Sequence, residues 1–183
     1  MSRRALILLL PAPLALAIVL SVRACLKEPH ETYREDKKAE VVALRDGATV
    51  LAPKGTAGRE LVDWLAGRDP GRKSFELGGH QFTGRSAELT AESLGRVPRL
   101  VTMLHANPDV RAVLTGHTDR SGDPSADLAL GRQRAEALAH ILEDQGIAAD
   151  RLQVETSGSV DPVASNDDET GRAKNQRVTL ILI

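Results

Sequence analysis

Hydrophobic positions along the chain change their spacing several times, and each change predicts a different kind of segment. Ala5–Val22 is an almost unbroken apolar run behind the basic start Met1–Arg4, a pattern typical of a membrane-targeting segment. The stretch Lys27–Glu40 is charged with both signs and has almost no apolar periodicity, which indicates a solvated tether. From residue 41 onward, spacings typical of strands and of helices alternate, so the rest of the chain is predicted to fold.

This pattern divides the chain into four predicted parts. They are a signal, lipoprotein or anchor segment (1–25), a charged tether (26–40), a small hairpin-and-helix adaptor (41–74) and a main domain (75–183). In the adaptor, Asp46-Gly47 is typical of a two-residue hairpin turn between apolar runs at 41–45 and 48–52. The near-helical apolar spacing in Thr56–Gly67 predicts one short helix after this hairpin.

The main domain is predicted to have the element order β-α-β-α-β-β. Strands are expected over 75–82, 110–114, 151–156 and 177–183, and the first helix over 89–105, with a kink at Pro98. The second helix should begin at Asp123-Pro124, an N-cap carboxylate followed by a proline, and end at Gly146. The order predicts an α/β sandwich, with helices packed on one face of a mixed sheet.

The second helix carries an arginine on the face that should meet the sheet. At about 100° per residue, Arg134 shares one arc with Asp127, Gly131 and apolar residues that include Leu128 and Leu138. A desolvated, unpaired guanidinium would cost several kcal/mol, by a rough estimate. Two interpretations remain open: Arg134 is satisfied structurally, by reaching past the helix edge or pairing with Asp127, or it lines a charged notch beside the 115–125 loop.

The loop that precedes this helix is polar and compact. Thr115–Gly122 follows a predicted strand, the usual position of a binding loop in an α/β unit. His117 and Asp119 lie in it, but no further ligand stands at a recognised metal spacing. Ser121 completes no catalytic triad, because triad members usually come from separate parts of a fold. Neither a metal, a cofactor nor catalysis is predicted here.

Composition excludes several further classes of function. The net charge of -1 argues against a protein that neutralises nucleic-acid phosphates. Aromatic residues make up 2% of the chain, too few for a platform that stacks bases. The single cysteine, Cys25, excludes an internal disulfide and any CxxC metal or redox motif.

Cys25 stands where the first apolar run ends. Val22-Arg23-Ala24-Cys25 resembles a bacterial lipobox, in which the cysteine is acylated and becomes the new N-terminus. An uncleaved signal anchor, or an incidental cysteine behind an ordinary cleaved signal, are the alternatives. Each exports the rest of the chain, and Arg3 and Arg4 place it on the periplasmic side. Leu26 after an acylated cysteine resembles lipoproteins sent to the outer membrane, whereas an anchor would stay in the inner membrane.

Three motifs together resemble one known family. Gly116-His117-Thr118-Asp119, then Leu130–Ala135 and finally Gly171–Val178 are similar to successive signatures of the OmpA-like C-terminal domain. This family includes the peptidoglycan-associated lipoproteins, and the resemblance covers residues 75–183. It implies non-catalytic binding of cell-wall peptidoglycan, so that an envelope membrane is linked to the wall.

The resemblance also implies which residues bind. The family holds the diaminopimelate of the peptide stem between an acid and an arginine, and these match Asp119 and Arg134. Thr118, Asn175 and Arg177 match neighbouring family positions and are expected to contribute to the peptidoglycan site. Arg177 fits equally well as a structural anchor where the last strand begins. Peptidoglycan and the membrane are therefore the expected partners.

Two competing functions remain open at this point. Asp127 stands where the family commonly has asparagine, so it is a candidate internal partner for Arg134. A degenerate OmpA-like domain would then act as a periplasmic protein-interaction module. The second alternative is a periplasmic enzyme that uses His117 and Asp119.

Overall fold

The computed structural model describes residues 40–67, 73–76 and 80–183. Cys25, the apolar run before it and most of the charged tether lie outside these residues, so what was predicted for them stays a prediction. Within the described ranges, no helix is both long enough and apolar enough to cross a bilayer.

The N-terminal hairpin forms, but with a different turn from the predicted one. Strands β1 (Val41–Ala43) and β2 (Thr49–Leu51) pair antiparallel. The amide of Leu44 donates to the carbonyl of Ala48, and the amide of Gly47 donates to the carbonyl of Leu44. The loop therefore has three residues rather than two, because Gly47, at φ 85°, takes the left-handed position that ends a three-residue hairpin loop.

Helix α1 (Ala57–Gly67) is confirmed, and it packs into the core of the main domain. Its buried residues Leu61 and Leu65 belong to the same apolar cluster as Phe75 and Leu180 of the large sheet. Strand β3 (Lys73–Glu76) begins before the predicted domain boundary at residue 75. The first strand thus begins two residues earlier than predicted and is shorter, with four residues, while the domain boundary itself stays a prediction.

The large sheet is mixed, as the α/β fold class predicted. Strands β4 (Ala112–His117), β5 (Leu152–Gly158) and β6 (Val178–Leu182) complete it in the order β3-β6-β4-β5. Strand β6 runs antiparallel to both β3 and β4, whereas β4 and β5 are parallel. Every position of the central strand β4 is buried, so the loop that leaves it starts from the middle of the core.

The predicted kink at Pro98 is wrong, because two helices stand where one was expected. Helix α2 (Ala91–Leu94) is capped by the Thr90 side chain, and α3 (Val97–His105) starts anew with Pro98 in its first turn. A proline costs little there, since its missing N–H would have no partner inside the helix anyway. The chain bends by ending one helix before the proline.

Helix α4 (Pro124–Asp144) connects β4 to β5 and packs against both strands. Its predicted start is confirmed, since the Asp123 carboxylate accepts hydrogen bonds from the amides of Ser125 and Ala126. Leu128 was placed on the buried arc but is 45% exposed. It lies at the edge of that arc, where the backbone of α4, rather than the leucine side chain, approaches Gly158.

A fifth helix lies between β5 and β6, where the predicted element order had none. Helix α5 (Glu169–Asn175) separates β5 from β6 and is capped by the Asp168 carboxylate, which accepts from the amide of Gly171. A short 3-10 turn (Ala149–Arg151) leads into β5. The element order is therefore β-α-α-β-α-β-α-β from β3 onward, with one helix more in each of two connections.

Two glycines allow α4 to approach the sheet closely. A side chain at Gly116 of β4 would overlap the carbonyl oxygen of Gly131 in α4, and one at Gly131 would lie 2.9 Å from the carbonyl oxygen of Gly116. Arg134 lies three residues after Gly131 on the same helix face. The glycine contact therefore sets how deeply the arginine enters the core.

Candidate functional site

The candidate site lies where β4 ends. The amide of His117 donates to the carbonyl of Arg177, and the amide of Thr118 donates to the carbonyl of Gly158. These bonds hold the segment to β6 on one side and to the end of β5 on the other. Thr118 and Asp119 are both buried, so the loop presents its acid from a fixed backbone.

Two buried carboxylates share one arginine at this place. Nη1 of Arg85 lies 2.9 Å from Oδ1 of Asp119, and Nη2 lies 3.2 Å from Oδ1 of Asp127. The second oxygen of Asp127 accepts from the amide of Ser121. The side chain of Arg85 is 42% exposed, whereas both aspartates are buried. Arg85 therefore bridges the acid pair from the solvent side.

The charge on Asp127 is stabilised where it lies. Burial alone would raise its pKa, but hydrogen bonds from Ser121, Ser159 and Arg85 outweigh this effect, and the pKa of Asp127 is lowered. The aspartate consequently stays ionised under neutral conditions.

Arg134 is fully buried and donates mainly to carbonyl oxygens. Its Nε donates to Ser86 at 2.9 Å, its Nη1 to His117 at 3.1 Å and its Nη2 to Gly84 at 3.0 Å. A fourth bond runs from Nη2 to the side-chain oxygen of Gln176 at 3.0 Å. A guanidinium has five N–H groups, so one N–H, on Nη1, has no partner among the described residues.

This geometry rejects both structural interpretations offered for Arg134. The residue is 0% exposed, so it does not reach past the helix edge. Among the described residues, the ion-pair partner of Asp127 is Arg85 rather than Arg134. The interaction-module hypothesis relied on a pair between Asp127 and Arg134, and that pair is not formed.

Arg134 keeps its positive charge despite its burial. Its pKa is lowered to about 10, mainly by desolvation and also by the positive charge of Arg85, while the negative charge of Asp119 acts in the opposite direction. Because the pKa stays well above neutrality, the guanidinium is charged at neutral pH. The influence of Asp119 also places the acid and the arginine within electrostatic reach of each other.

The other three predicted binding residues are Thr118, Asn175 and Arg177, and they differ in how far their hydrogen-bonding groups are already used within the protein. The hydroxyl of Thr118 is buried and has no hydrogen-bond partner within the described ranges, so its hydrogen-bonding capacity is unused there. Asn175 uses both amide hydrogens and its oxygen on residues 163–166. Its geometry supports a structural role in that loop instead of the predicted contact.

Arg177 points to a different set of partners. Its Nη2 donates to the carbonyl of Asp161, and its Nε lies 3.3 Å from Oε1 of Glu76 without the alignment of a hydrogen bond. Its backbone carbonyl supports His117 at the start of the candidate loop. This matches the structural-anchor interpretation, and we leave Arg177 out of the proposed site.

His117 is a buried, neutral ring. Its pKa is lowered to about 4, mainly by burial and also by the positive charge of Arg177, against a smaller opposing effect of Asp161. Its Nε2 lies 3.2 Å from the hydroxyl of Thr179, and its Nδ1 has no partner among the described residues. The ring is thus part of the interior and is not positioned as a base for the loop.

Acidification should weaken the fold through His117. An unfolded histidine, with a pKa near 6.5, binds a proton before the folded one does, so stability is full above pH 6.5 and falls as the pH drops toward 4. Between pH 7 and 4.5 this loss should be about 2 kcal/mol, measured by urea unfolding. His117→Gln should remove this part of the pH dependence, whereas exposed His140→Gln should keep it. Equal pH dependence in both variants would contradict the assignment.

A cleft of about 170 Å³ adjoins the buried arginine. Phe82, Gly84 and Gln176 line it, and the same three residues contact Arg134, whose guanidinium lies 4.9 Å from the centre of the Phe82 ring. Arg172 also lines the cleft, whereas neither Asp119 nor Asp127 does.

A larger cavity, of about 290 Å³, lies elsewhere, between α1, β3 and α3. It is lined by Leu61, Phe75 and Met103, among others, and by none of the predicted site residues. No group of His, Cys, Asp and Glu in the described part of the chain is arranged to hold a metal ion.

Sequence reasoning missed Arg85. It lies in a loop without periodicity and is 34 residues from Asp119 and 42 from Asp127 in the chain. Its lone positive charge between Gly84 and Ser86 was the signal available, and it did not indicate a partner.

Comparison with known proteins identifies this architecture. Residues 81–176 match the model of the OmpA family. The chain belongs to the OmpA family. The OmpA-family domain thus spans the acid pair, Arg85, Arg134 and the end of β4, which confirms the resemblance seen in the sequence.

Curated relatives of this OmpA-family chain differ in how much of their length it covers. The peptidoglycan-binding protein ArfA of Mycobacterium tuberculosis is 39% identical over 101 residues, which are 55% of this chain and 31% of ArfA. The chain thus spans about a third of ArfA. The peptidoglycan-associated lipoprotein of Legionella pneumophila is 30% identical over 140 residues, 74% of this chain and 80% of the relative. The outer-membrane lipoprotein YfiB of Pseudomonas aeruginosa is 30% identical over 166 residues, which are 91% of this chain and 88% of YfiB.

Solved structures agree with the OmpA-like fold. The peptidoglycan-associated lipoprotein of Burkholderia pseudomallei superposes with a TM-score of 0.54 and 26% identity, over 62% of this chain and 92% of the other. The C-terminal domain of Helicobacter pylori MotB gives a TM-score of 0.53 at 23% identity, over 57% of this chain and 82% of the MotB chain. This likeness shows a shared fold alone. The predicted fold class is confirmed.

Proposed function

We propose that this protein binds cell-wall peptidoglycan without catalysis and links an envelope membrane to the wall. The observation that carries the proposal is the pair of buried aspartates, Asp119 and Asp127, bridged by Arg85 and set beside the buried, charged guanidinium of Arg134. Relatives of the same family are named as peptidoglycan-binding or peptidoglycan-associated, which supports this class of ligand.

The chemistry of the site fits the diaminopimelate of the peptide stem. The distal centre of this residue carries an ammonium and a carboxylate. Asp119 is the proposed acceptor of the ammonium, because it lies at the loop and its present partner, Arg85, is able to move into solvent. The free Thr118 hydroxyl and the one remaining N–H of Arg134 are proposed to face the rest of the centre.

The site has the properties of a binding site rather than a catalytic one. The ring of His117, the candidate base in the loop, is buried against Thr179, and a lowered pKa of about 4 makes it a weak base. Asp119 is held as a charged partner for a cation. We therefore propose recognition alone.

The membrane link is the second half of the proposal. Acylation of Cys25, or an uncleaved apolar segment, would tether the OmpA-like domain beneath the wall polymer. The name of the relative YfiB, an outer-membrane lipoprotein, supports the acylated form and the outer membrane. A tether raises the effective concentration of wall at the site, so that a modest affinity for one stem is sufficient.

Asp119→Asn tests the proposal. The full chain, purified in a mild non-ionic detergent, is mixed with sacculi that contain diaminopimelate and is sedimented. Wild-type protein should pellet, and the variant should bind at least about tenfold more weakly, because it loses a charged hydrogen bond.

Asp109→Asn is the matched control for this experiment. It removes the same charge from an exposed position before β4, about 20 Å away along the strand, and it should pellet like the wild type. Circular dichroism checks that both variants are folded. Wild-type protein that stays in the supernatant, or equal pelleting of the two variants, would overturn the proposal.

A further inference from the structure

We propose that the cavity between α1, β3 and α3 binds a medium-chain carboxylate, with the alkyl chain inside and the carboxylate beside Arg99. The cavity shares none of its described lining residues with the candidate peptidoglycan site at the end of β4. A small amphiphilic ligand there is a second binding activity, which goes beyond the proposed function and is independent of it.

The inner wall of the cavity is apolar and comes from four elements. Leu61 of α1, Phe75 of β3, Leu180 of β6, and both Leu100 and Met103 of α3 line it and are buried. Its volume of about 290 Å³ is close to the lower end of the range usual for small-molecule pockets, about 300–1,000 Å³. Close-packed interiors leave few voids larger than a water molecule, so a space of this size is suited to an apolar group from outside the chain.

Charged side chains line the cavity where it reaches the surface. Glu76 and Arg99 are exposed and Arg96 is half-buried, in contrast to the apolar wall. Arg96 pairs with Glu92, and Oε1 of Glu76 lies 3.3 Å from Nε of Arg177. Arg99 forms no ion pair within the described ranges. The mouth therefore carries one positive charge without a counter-charge, which complements a ligand with a single negative charge.

Arg99 lies against the first turn of α1. A Cβ on Gly58 would be 3.4 Å from Nη1 and 3.6 Å from Cδ of Arg99, so the missing side chain leaves the space that the arginine occupies. On α3, Arg99 lies one turn before Met103 and thus on the same helix face. One helix face therefore leads from an exposed guanidinium to the buried interior of the cavity, and an amphiphile would follow the same path.

Octanoate matches this arrangement in both charge and size. A guanidinium binds a carboxylate with two parallel hydrogen bonds, and Arg99 is the lining cation whose charge is not already paired in the described part of the chain. A methylene group is about as large as a water molecule, whose share of liquid volume is about 30 Å³. The 290 Å³ of the cavity thus holds about nine such groups, which is enough for the alkyl chain of octanoate.

Methyl NMR on methionine tests the proposal. The chain has two methionines, and Met103 lines the cavity, so its methyl signal reports occupancy directly. The full chain, labelled with carbon-13 at its methionine methyl groups, is held in phosphatidylcholine nanodiscs, because detergent tails would compete, and is titrated with sodium octanoate. The Met103 signal, assigned with Met103→Leu, should shift until it saturates. Hexanoate should bind roughly fifteenfold more weakly, since each buried methylene strengthens binding about fourfold.

Arg99→Gln separates recognition of the carboxylate from burial of the alkyl chain. The variant should bind octanoate about threefold to fivefold more weakly, which is the scale of an exposed ion pair. It should bind octanamide, the uncharged isostere of octanoate, like the wild type. Arg132→Gln removes an arginine from the exposed face of α4 and is the control, so it should leave both affinities unchanged.

An unmoved Met103 signal at high octanoate concentration would overturn the proposal. Equal octanoate affinity of the wild type and a folded Arg99→Gln variant would overturn it as well. Both arginine variants should pellet with sacculi like the wild type, because neither residue belongs to the proposed peptidoglycan site. A failed octanoate titration would thus leave the proposed function standing, and failed sedimentation with sacculi would leave this inference standing.

Discussion

Replacing Arg134 with alanine should lower the free energy of unfolding by about 3–5 kcal/mol, the usual cost of removing one partner from a buried charged network. Three carbonyl oxygens, on Gly84, Ser86 and His117, would lose their donor. The bond to His117 is buried, so that its carbonyl would be left unpaired away from solvent, which is costly. The contact of the guanidinium with Phe82 would also be lost. Urea unfolding of the purified chain, followed by circular dichroism, measures the effect.

Arg132→Ala is the matched control for this prediction. Arg132 lies two positions earlier in α4 and is exposed, with a long surface pair to Glu136. Such pairs contribute about 0–1 kcal/mol, so this variant should unfold close to the wild type. Arg134→Lys should remain clearly destabilised, because a compact ammonium does not reproduce a planar fork with separate carbonyl partners. An alanine variant within 1 kcal/mol of the wild type, by the same rough scale, would refute the network.

The role of Arg134 in the fold changes how its part in binding must be tested. A variant that loses binding and stability together does not separate ligand contact from loop support. Asp119 is a better probe, because asparagine replaces it isosterically. Arg134 organises the loop through its bonds to the carbonyls of Gly84 and Ser86, whereas Asp119 is the proposed ligand contact.

Local chemistry explains what was predictable from the sequence. The start of α4 was predicted because an N-cap aspartate followed by proline acts within one turn. The position of Arg134 on the sheet-facing arc of α4 was predicted because helical period alone places it beside Leu138 and Gly131. The loop after β4 was predicted because a short strand precedes it and a capped helix follows. Each of these signals lies within a few residues of the feature it specifies.

The parts that were missed depend on long-range or non-apolar interactions. The partner of Asp127 is 42 residues away, and no spacing rule links such positions. Helix α5 lacks an apolar face and is held by polar bonds, such as those from Arg172 to the carbonyls of Asn166 and Asp167. Asn175 was assigned to the ligand because it matched a motif, but its hydrogen bonds close the loop beside α5.

The depth of Arg134 in the core depends on a contact between two backbones. Gly116 in β4 and Gly131 in α4 face each other so closely that a Cβ on Gly116 would lie 2.6 Å from the carbonyl carbon of Gly131. Thr156 of β5 bonds to carbonyls on both sides of this contact, at Gly116 and at Leu128. Backbone atoms cannot move aside as a flexible side chain does, so added volume must shift the helix.

Gly116→Ala should therefore destabilise the protein by about 3 kcal/mol, at the upper end of the usual cost of overpacking, and lower the melting temperature by about 6–12 °C. Gly95→Ala is the control, because its φ of -65° and nearest neighbours at 3.5 Å admit a methyl group. It should melt at or slightly above the wild-type temperature. Where Gly116→Ala still folds, the displaced α4 should carry Arg134 away from the Gly84 and Ser86 carbonyls, so binding to sacculi should fall as well. Equal melting temperatures for the two variants would contradict this prediction, because they would show that α4 shifts without a loss of stability.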